Sequence, residues 1–161
     1  MTKDQLIGSA QKLLPPSAEA AADFAAGQDA VAAELSRRML ARPDLERLIG
    51  ADNRAMLENN GRNMLRFMAA LFRAFEPLVL AETALWAFRS YRAHGFHVSY
   101  WPANLDTVVE ILREELPAES FAAVYPSFEW LITHIPAFTQ LSDEALSQGT
   151  GEPDDLAPSH G

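Results

Sequence analysis

The sequence contains no cysteine among its 161 residues. This absence excludes disulfide bonds, thiolate zinc sites, a cysteine nucleophile and any cofactor attached through a thioether. An apolar core must therefore hold the fold together, and 48% of the residues are hydrophobic. A chain of this length and composition is expected to form one folded domain rather than a disordered segment.

Basic residues and long apolar runs are also scarce. The chain has 13 Lys and Arg against 22 Asp and Glu, and its formal net charge is −9 at pH 7. Nucleic-acid backbones are bound by clustered basic side chains, so we expect no nucleic-acid partner. No run approaches the roughly 18 apolar residues that cross a bilayer, and the N-terminal segment lacks a signal-peptide pattern. We therefore expect a cytoplasmic protein with no membrane association.

Motifs of the common enzyme classes are missing as well. The sequence has no G-x-S-x-G, no phosphate-binding loop and no G-x-G-x-x-G fingerprint. It also has no Glu-x-x-His pair of the kind that holds a di-iron centre in a helical bundle. Glu129 precedes His134 by a spacing that places the two side chains on different helix faces. We predict that the protein is not an enzyme and binds no metal ion directly.

Helical periodicity is present along most of the chain. Apolar residues recur at spacings of three and four, and no useful length of strand alternation occurs. The pattern predicts an all-α fold, a bundle of six to eight helices in a single domain over residues 1–147. Residues 148–161 are predicted to form a disordered acidic tail.

Local signals predict where several of these helices begin and end. Thr2 and Ser17 are predicted N-caps, and Gly27 is predicted to end a short second helix before a third helix starts. Pro136 is predicted to end the last long helix, with Ser142 capping one further turn.

A long amphipathic helix is predicted in the middle of the chain, from a cap at Asp52 to about Phe75. Gly61 lies inside this helix, where it costs about 1 kcal/mol relative to alanine, and it is predicted to mark a close helix crossing. The last helix contains Pro126 and is predicted to be kinked or split there.

The segment 81–116 is the most informative stretch. It reads as a helix, a corner containing Gly95, and a second helix capped by Ser99. Aromatic side chains are concentrated around this corner, and either core packing or an aromatic-lined pocket explains them. The residues predicted to line such a pocket are Trp86, Phe88, Phe96, Tyr100 and Trp101.

Four histidines are candidates for ligating a haem. His160 lies in the predicted tail, whereas His94 and His97 lie at the corner. An axial ligand has to lie on a helix face that packs inward. That face runs through Leu85, Phe88 and Tyr91, and neither corner histidine falls on it cleanly, while His97, in the corner itself, could point either way. A positive imidazole at the end of a helix is favoured by the helix dipole, which accounts for His94 without a haem.

The segments TALWAFRSYRAHGF (83–96) and VSYWPANLDTVV (98–109), following a long helix with an Asn-rich start, resemble the sensor-globin superfamily. This superfamily includes protoglobins, globin-coupled sensors and the haem-free globin-fold domains of stressosome proteins. In its haem-binding members a proximal histidine lies four residues before a glycine, and here Tyr91 stands at that position before Gly95.

The resemblance implies a globin-like sensory or regulatory domain that forms a homodimer through its last two long helices, about residues 99–116 and 118–135. Tyr91 in place of histidine favours the haem-free branch. Our hypothesis is therefore a haem-free, non-enzymatic domain that acts through a small apolar ligand or a separate signalling protein.

Two alternatives stay open. One is a haem-binding gas sensor or carrier ligated by Tyr91, His94 or His97, since tyrosine also ligates ferric haem. The other is a helical adaptor without a pocket.

Overall fold

The computed structural model describes residues 1–147, and within that range the chain forms eight helices and no strand. The helices are α1 (Lys3–Ala10), α2 (Ala18–Leu40), α3 (Leu45–Ile49), α4 (Arg54–Arg73), α5 (Pro77–Ala93), α6 (Tyr100–Glu115), α7 (Ala118–Thr133) and α8 (Ile135–Ser147). The all-α prediction and the predicted number of helices are confirmed for these residues. The predicted tail, with His160, lies outside the described residues.

None of the helices within residues 1–147 is both long enough and apolar enough to cross a membrane.

The helix ends follow the capping signals in two places. Thr2 forms a full capping box with Gln5, and the Ser17 hydroxyl accepts a hydrogen bond from the backbone N–H of Ala20. Both N-cap predictions are confirmed.

The prediction that Gly27 ends a helix is wrong. Gly27 lies inside α2, which continues to Leu40. Phe24, Val31 and Leu35 lie on the buried side of this single helix. Burial of each large apolar side chain stabilises by about 1.5–3 kcal/mol, and that gain exceeds the roughly 1 kcal/mol that glycine costs inside a helix.

Three further boundary predictions need correction. Asp52 does not cap α4, because Asn53 occupies the N-cap position and Asp52 adopts a left-handed φ of 62°. Pro136 does not end a helix but lies in the first turn of α8, where its missing N–H is not needed. Ser142 lies inside α8, and its hydroxyl donates to the Thr139 carbonyl.

The helix containing Pro126 is α7, which runs unbroken from Ala118 to Thr133. Pro126 is exposed, and the buried face of the same helix carries Val124 and Phe128. Of the two outcomes predicted at Pro126, a kink or a split, the split is therefore wrong. The proline is accommodated on the side of the helix that faces solvent.

The core forms where α2 packs against α4, α6 and α7. Gly61 of α4 is buried at the crossing with α2, where a Cβ atom would lie 3.6 Å from Leu35 and from Ser36. Phe24 of α2 meets Phe72 of α4 edge to face, with ring centroids 4.9 Å apart. Outside this cluster, α5 packs against α1 and α8.

Two glycines and an asparagine fix the corner between α5 and α6. Gly95 has φ of 97° and ends α5 as predicted. The Asn53 side-chain amide donates to the carbonyls of Ile49 and His94, and it thereby joins the start of α4 to the corner. Gly50 approaches the same corner, and a Cβ atom there would lie 3.1 Å from the Gly95 carbonyl oxygen. The corner and the α3–α4 connection therefore form one packed unit.

Candidate functional site

A cavity of about 250 Å³ lies between α4 and α5, with α6 and α7 contributing to its wall. Its lining is mostly apolar and includes Met64 and Phe67 of α4, Leu105 of α6 and Leu131 of α7. The cavity is partly open to solvent, and the exposed Asn63 lies at its edge. A largely apolar recess with a few polar groups is the usual form of a small-molecule site.

Helical spacing explains why these side chains meet. Asn60, Met64 and Phe67 follow one another on one face of α4, because residues three and four apart lie on the same side of a helix. The facing side of α5 carries Ala84 and Ala87, which are too small to fill the space opposite α4. These two alanines, between larger neighbours, are what makes a cavity rather than a filled core.

Aromatic stacking builds one wall of the cavity. The rings of Phe88 and Trp101 are stacked with centroids 4.9 Å apart and planes 18° from parallel. Tyr91 meets Trp101 edge to face at 5.4 Å. Such aromatic pairs contribute about 0.5–1.5 kcal/mol each beyond the area they bury. The wall is therefore held rigidly between α5 and α6.

The structure divides the predicted pocket residues into two groups. Trp86, Phe88 and Trp101 line the cavity, as does Tyr91. Phe96 and Tyr100 are buried outside the lining and pack behind the others. Phe96 contacts Tyr91 edge to face at 4.9 Å and contacts Tyr100 edge to face at 4.8 Å.

The two corner histidines lie outside the cavity. His94 is exposed, and its Nδ1 lies 2.7 Å from the Ser90 carbonyl oxygen. His97 is also exposed, and its Nδ1 accepts a hydrogen bond from the backbone N–H of Ser99 at 3.1 Å. Neither imidazole therefore shares a cavity with Tyr91.

The residues around the cavity do not fit a haem. About 250 Å³ holds on the order of ten non-hydrogen atoms, by scaling from a 150 Å³ cavity that binds benzene, and a porphyrin is several times larger. Tyr91 is the one lining residue able to act as an axial ligand through a phenolate. Burial raises the pKa of its hydroxyl to about 12, which disfavours the phenolate that would bind ferric iron.

A buried chain of hydrogen bonds borders the cavity. Asn60 Nδ2 donates to the Tyr100 hydroxyl at 2.5 Å, and that hydroxyl donates to Asn104 Oδ1 at 3.3 Å. Asn104 Nδ2 contacts Met64 Sδ at 3.6 Å. Because the hydroxyl donates to Asn104, it must accept from Asn60, and this direction fixes the orientation of the Asn60 amide.

Two polar groups in the lining residues have no hydrogen-bond partner among the described residues. They are the indole Nε1 of Trp101 and the hydroxyl of Thr83, and both atoms are buried. Thr83 was not among the predicted site residues, and its position within the apolar stripe of α5 is the sequence signal that could have found it. Asn60 likewise lies on the same face of α4 as the apolar residues Leu57 and Met64, at helical spacing from both.

The cavity offers little for acid–base or metal chemistry. Tyr91 is the one titratable side chain in its lining. Among residues 1–147, no three His, Asp or Glu side chains come together in a group able to hold a metal ion. The arrangement can exclude water, surround an apolar body and offer hydrogen bonds to a neutral group.

No family model matches the chain, and no curated protein or solved structure matches it significantly.

Proposed function

We propose that this protein is a non-enzymatic, globin-like regulatory domain that binds a small apolar molecule without haem. The observation that carries the proposal is the cavity between α4 and α5, with its apolar lining and the facing alanines Ala84 and Ala87. A compact ligand placed there would gain dispersion contacts with both helices, and its apolar surface would be removed from water.

A contact at the C-terminal end of α5 offers a route by which ligand binding could be transmitted. Arg92 of α5 donates to the Ser142 hydroxyl of α8 at 2.8 Å and forms an ion pair with Asp143 of α8. Its guanidinium is largely shielded from solvent. A ligand that changes the spacing of α4 and α5 would move Arg92 and with it α8. We propose that ligand occupancy is read out through this coupling by a separate signalling protein.

The homodimer implied by the sensor-globin resemblance is part of the same proposal. The helices concerned are α6 and α7, whose buried faces pack against α2. Their exposed sides differ in character. The exposed side of α6 carries Asp106, Glu110 and Glu114 at one-turn spacing, whereas Ala122 and Pro126 are exposed on α7. A two-fold contact would therefore centre on α7, with the acidic residues of α6 at its edge.

The proposed function is tested by titrating isopropylbenzene into the protein and measuring the heat of binding and the melting temperature. The cavity-filling variant Ala84→Leu is compared with Ala33→Leu, the same change at an exposed position in α2. We expect the wild type and Ala33→Leu to bind and to melt at higher temperature with ligand, because binding to the folded state alone raises stability. Ala84→Leu should bind at least about tenfold more weakly, a loss of about 1.4 kcal/mol.

Two results would count against the proposed function. One is the absence of any binding by the wild type of either isopropylbenzene or acetophenone, a ketone of the same size, up to the solubility limit of each. The other is equal binding by Ala84→Leu and Ala33→Leu, which would place the ligand elsewhere on the molecule. Circular dichroism of both variants establishes that they are folded before the titrations are compared.

A further inference from the structure

We infer that the cavity selects an uncharged ligand that carries a hydrogen-bond acceptor, such as a compact ketone or ester, with the indole N–H of Trp101 as the donor. This inference rests on the proposed function, because it specifies the ligand of the same cavity. Three features of the cavity support it: an unpartnered donor, an unpartnered hydroxyl and the lack of charged side chains.

Trp101 provides the donor. Its side chain is only 5% exposed, it lies in the cavity lining, and its Nε1 has no hydrogen-bond partner among the described residues. An indole N–H can donate but cannot accept, so only an acceptor satisfies it. The N–H of Trp130 shows the usual arrangement, since it donates to the Ser9 hydroxyl at 3.0 Å. A buried donor without a partner destabilises the protein, and a ligand acceptor would remove that cost.

Thr83 departs from the usual behaviour of a threonine in a helix. The hydroxyls of Thr107 and Thr139 donate to the carbonyls one turn earlier, those of Ala103 and Ile135, at 2.7 and 2.9 Å. The Thr83 hydroxyl makes no such bond and is buried without a partner in the cavity lining. It is therefore a second polar group beside the cavity that has no hydrogen-bond partner within residues 1–147.

The remaining lining excludes charged ligands. No Lys, Arg, His, Asp or Glu lines the cavity, so a buried carboxylate or ammonium group would have no ionic partner. Tyr91 stays neutral in the physiological range, because burial raises its pKa to about 12. The hydrogen bond between the Asn60 amide and the Tyr100 hydroxyl already occupies one donor at the cavity wall. A neutral carbonyl or ether oxygen on an apolar body of about ten non-hydrogen atoms satisfies all these conditions.

The test uses three probes of similar size: acetophenone, which carries a carbonyl; isopropylbenzene, which has the same number of non-hydrogen atoms and no acceptor; and benzoate, which is charged. Titration calorimetry should show acetophenone binding about two- to tenfold more tightly than isopropylbenzene, because one net hydrogen bond is worth roughly 0.5–1.5 kcal/mol. Benzoate should not bind measurably.

Two variants locate the donor groups. In Trp101→Phe the preference for acetophenone should disappear, so that the two probes bind with about equal affinity. The smaller side chain also enlarges the cavity, but this affects the affinity of both probes and cancels in the ratio of the two affinities. Thr83→Val should reduce the preference less. Thr107→Val removes a threonine hydroxyl outside the cavity lining, and it should leave the preference unchanged.

Nuclear magnetic resonance of the wild type gives a readout that does not depend on a variant folding. The indole proton of Trp101 should move further downfield with acetophenone than with isopropylbenzene, because both probes carry an aromatic ring and only acetophenone accepts a hydrogen bond. The indole proton of Trp130, already bonded to Ser9, serves as the internal reference.

The outcomes separate the two proposals. If acetophenone and isopropylbenzene bind with equal affinity and the Trp101 indole proton responds equally to both, the inference about the acceptor is wrong and the proposed function stands. If neither neutral probe binds, the proposed function itself is overturned.

Discussion

Phe88 of α5 and Trp101 of α6 stack at a centroid distance of 4.9 Å, and both side chains are almost fully buried. The two residues lie on opposite sides of the corner at Gly95, so the stack links two helices that the chain has just turned between. It also forms part of the cavity lining. The corner and the cavity are therefore parts of one structural unit, and substitutions at either should affect the other.

The hydrogen-bond chain behind the cavity should be important for stability. Tyr100→Phe removes the hydroxyl that accepts from Asn60 and donates to Asn104, and it leaves two buried polar groups without partners. We expect the free energy of unfolding in urea to fall by about 1–3 kcal/mol. Tyr125→Phe, the same change at a half-buried position on α7 outside this chain, should have less than half that effect. Equal effects would contradict the assignment of the network.

Two glycines should respond in opposite ways to alanine. Gly27 lies inside α2, and a Cβ atom there would meet nothing within 4 Å, so Gly27→Ala should stabilise by about 0.5–1 kcal/mol. Gly50 has φ of 78° and ψ of 179°, a region occupied almost solely by glycine, and its Cβ would crowd the Gly95 carbonyl. Gly50→Ala should destabilise by about 1–3 kcal/mol. Thermal and urea denaturation of both variants check the two signs.

A surface cluster on α2 should give a defined pH dependence. Hydrogen bonds from Arg37, and then from Arg38, lower the pKa of Glu34 from its ordinary 4.5 to about 2. A carboxyl group with a lowered pKa in the folded state stabilises fully above pH 4.5, and the contribution is lost as the pH falls towards 2. Arg38 also bonds Glu114, so the cluster joins α2 to α6.

The variant Glu34→Gln should therefore melt below the wild type at pH 7, and the difference should shrink as the pH is lowered from 4.5 to 2. Salt should reduce the difference at pH 7, because the cluster is exposed to solvent. Glu46→Gln is the control at an exposed glutamate on α3. A difference that stays constant across this pH range would contradict the account.

Self-association should depend on salt if the proposed dimer forms through α6 and α7. Each copy carries a formal net charge of −9, and Asp106 and Glu110 lie at the edge of the proposed contact, so dimerisation should tighten as salt screens the repulsion between the copies. Ala122→Arg at the exposed side of α7 should abolish the dimer, whereas Ala33→Arg on α2 should leave it intact. Sedimentation equilibrium measures both. A monomer at all salt concentrations would remove the dimer from the proposal.

The sequence was sufficient to predict the helices around the corner because their signals agree. Gly95 ends α5, Ser99 occupies the N-cap position of α6 without a side-chain capping hydrogen bond, and the apolar residues within each of the two helices repeat at helical spacing. The predictions at Gly27 and Pro136 were wrong because glycine and proline often end helices but do not always do so. Burial along α2 outweighs the cost of Gly27, and Pro136 falls in a first turn, where proline is tolerated.

The cavity could not be predicted from periodicity. Helical spacing shows that Ala84 and Phe88 belong to the inward side of α5, but it does not show whether the opposing side chains fill the space. That depends on which residues of α4 face the alanines, and this register is set by tertiary packing. Thr83 escaped notice for the same reason, since a threonine in an apolar stripe usually bonds its own helix backbone.

The most direct test of the central claim is a crystal of the protein soaked in bromobenzene, with the bromine located by its anomalous scattering. The account predicts a bromine peak inside the cavity, between Ala84 of α5 and Phe67 of α4, and no such peak in Ala84→Leu. A map with no peak in the cavity, or with bromine only at the surface groove against Pro16 and Phe72, would contradict the account.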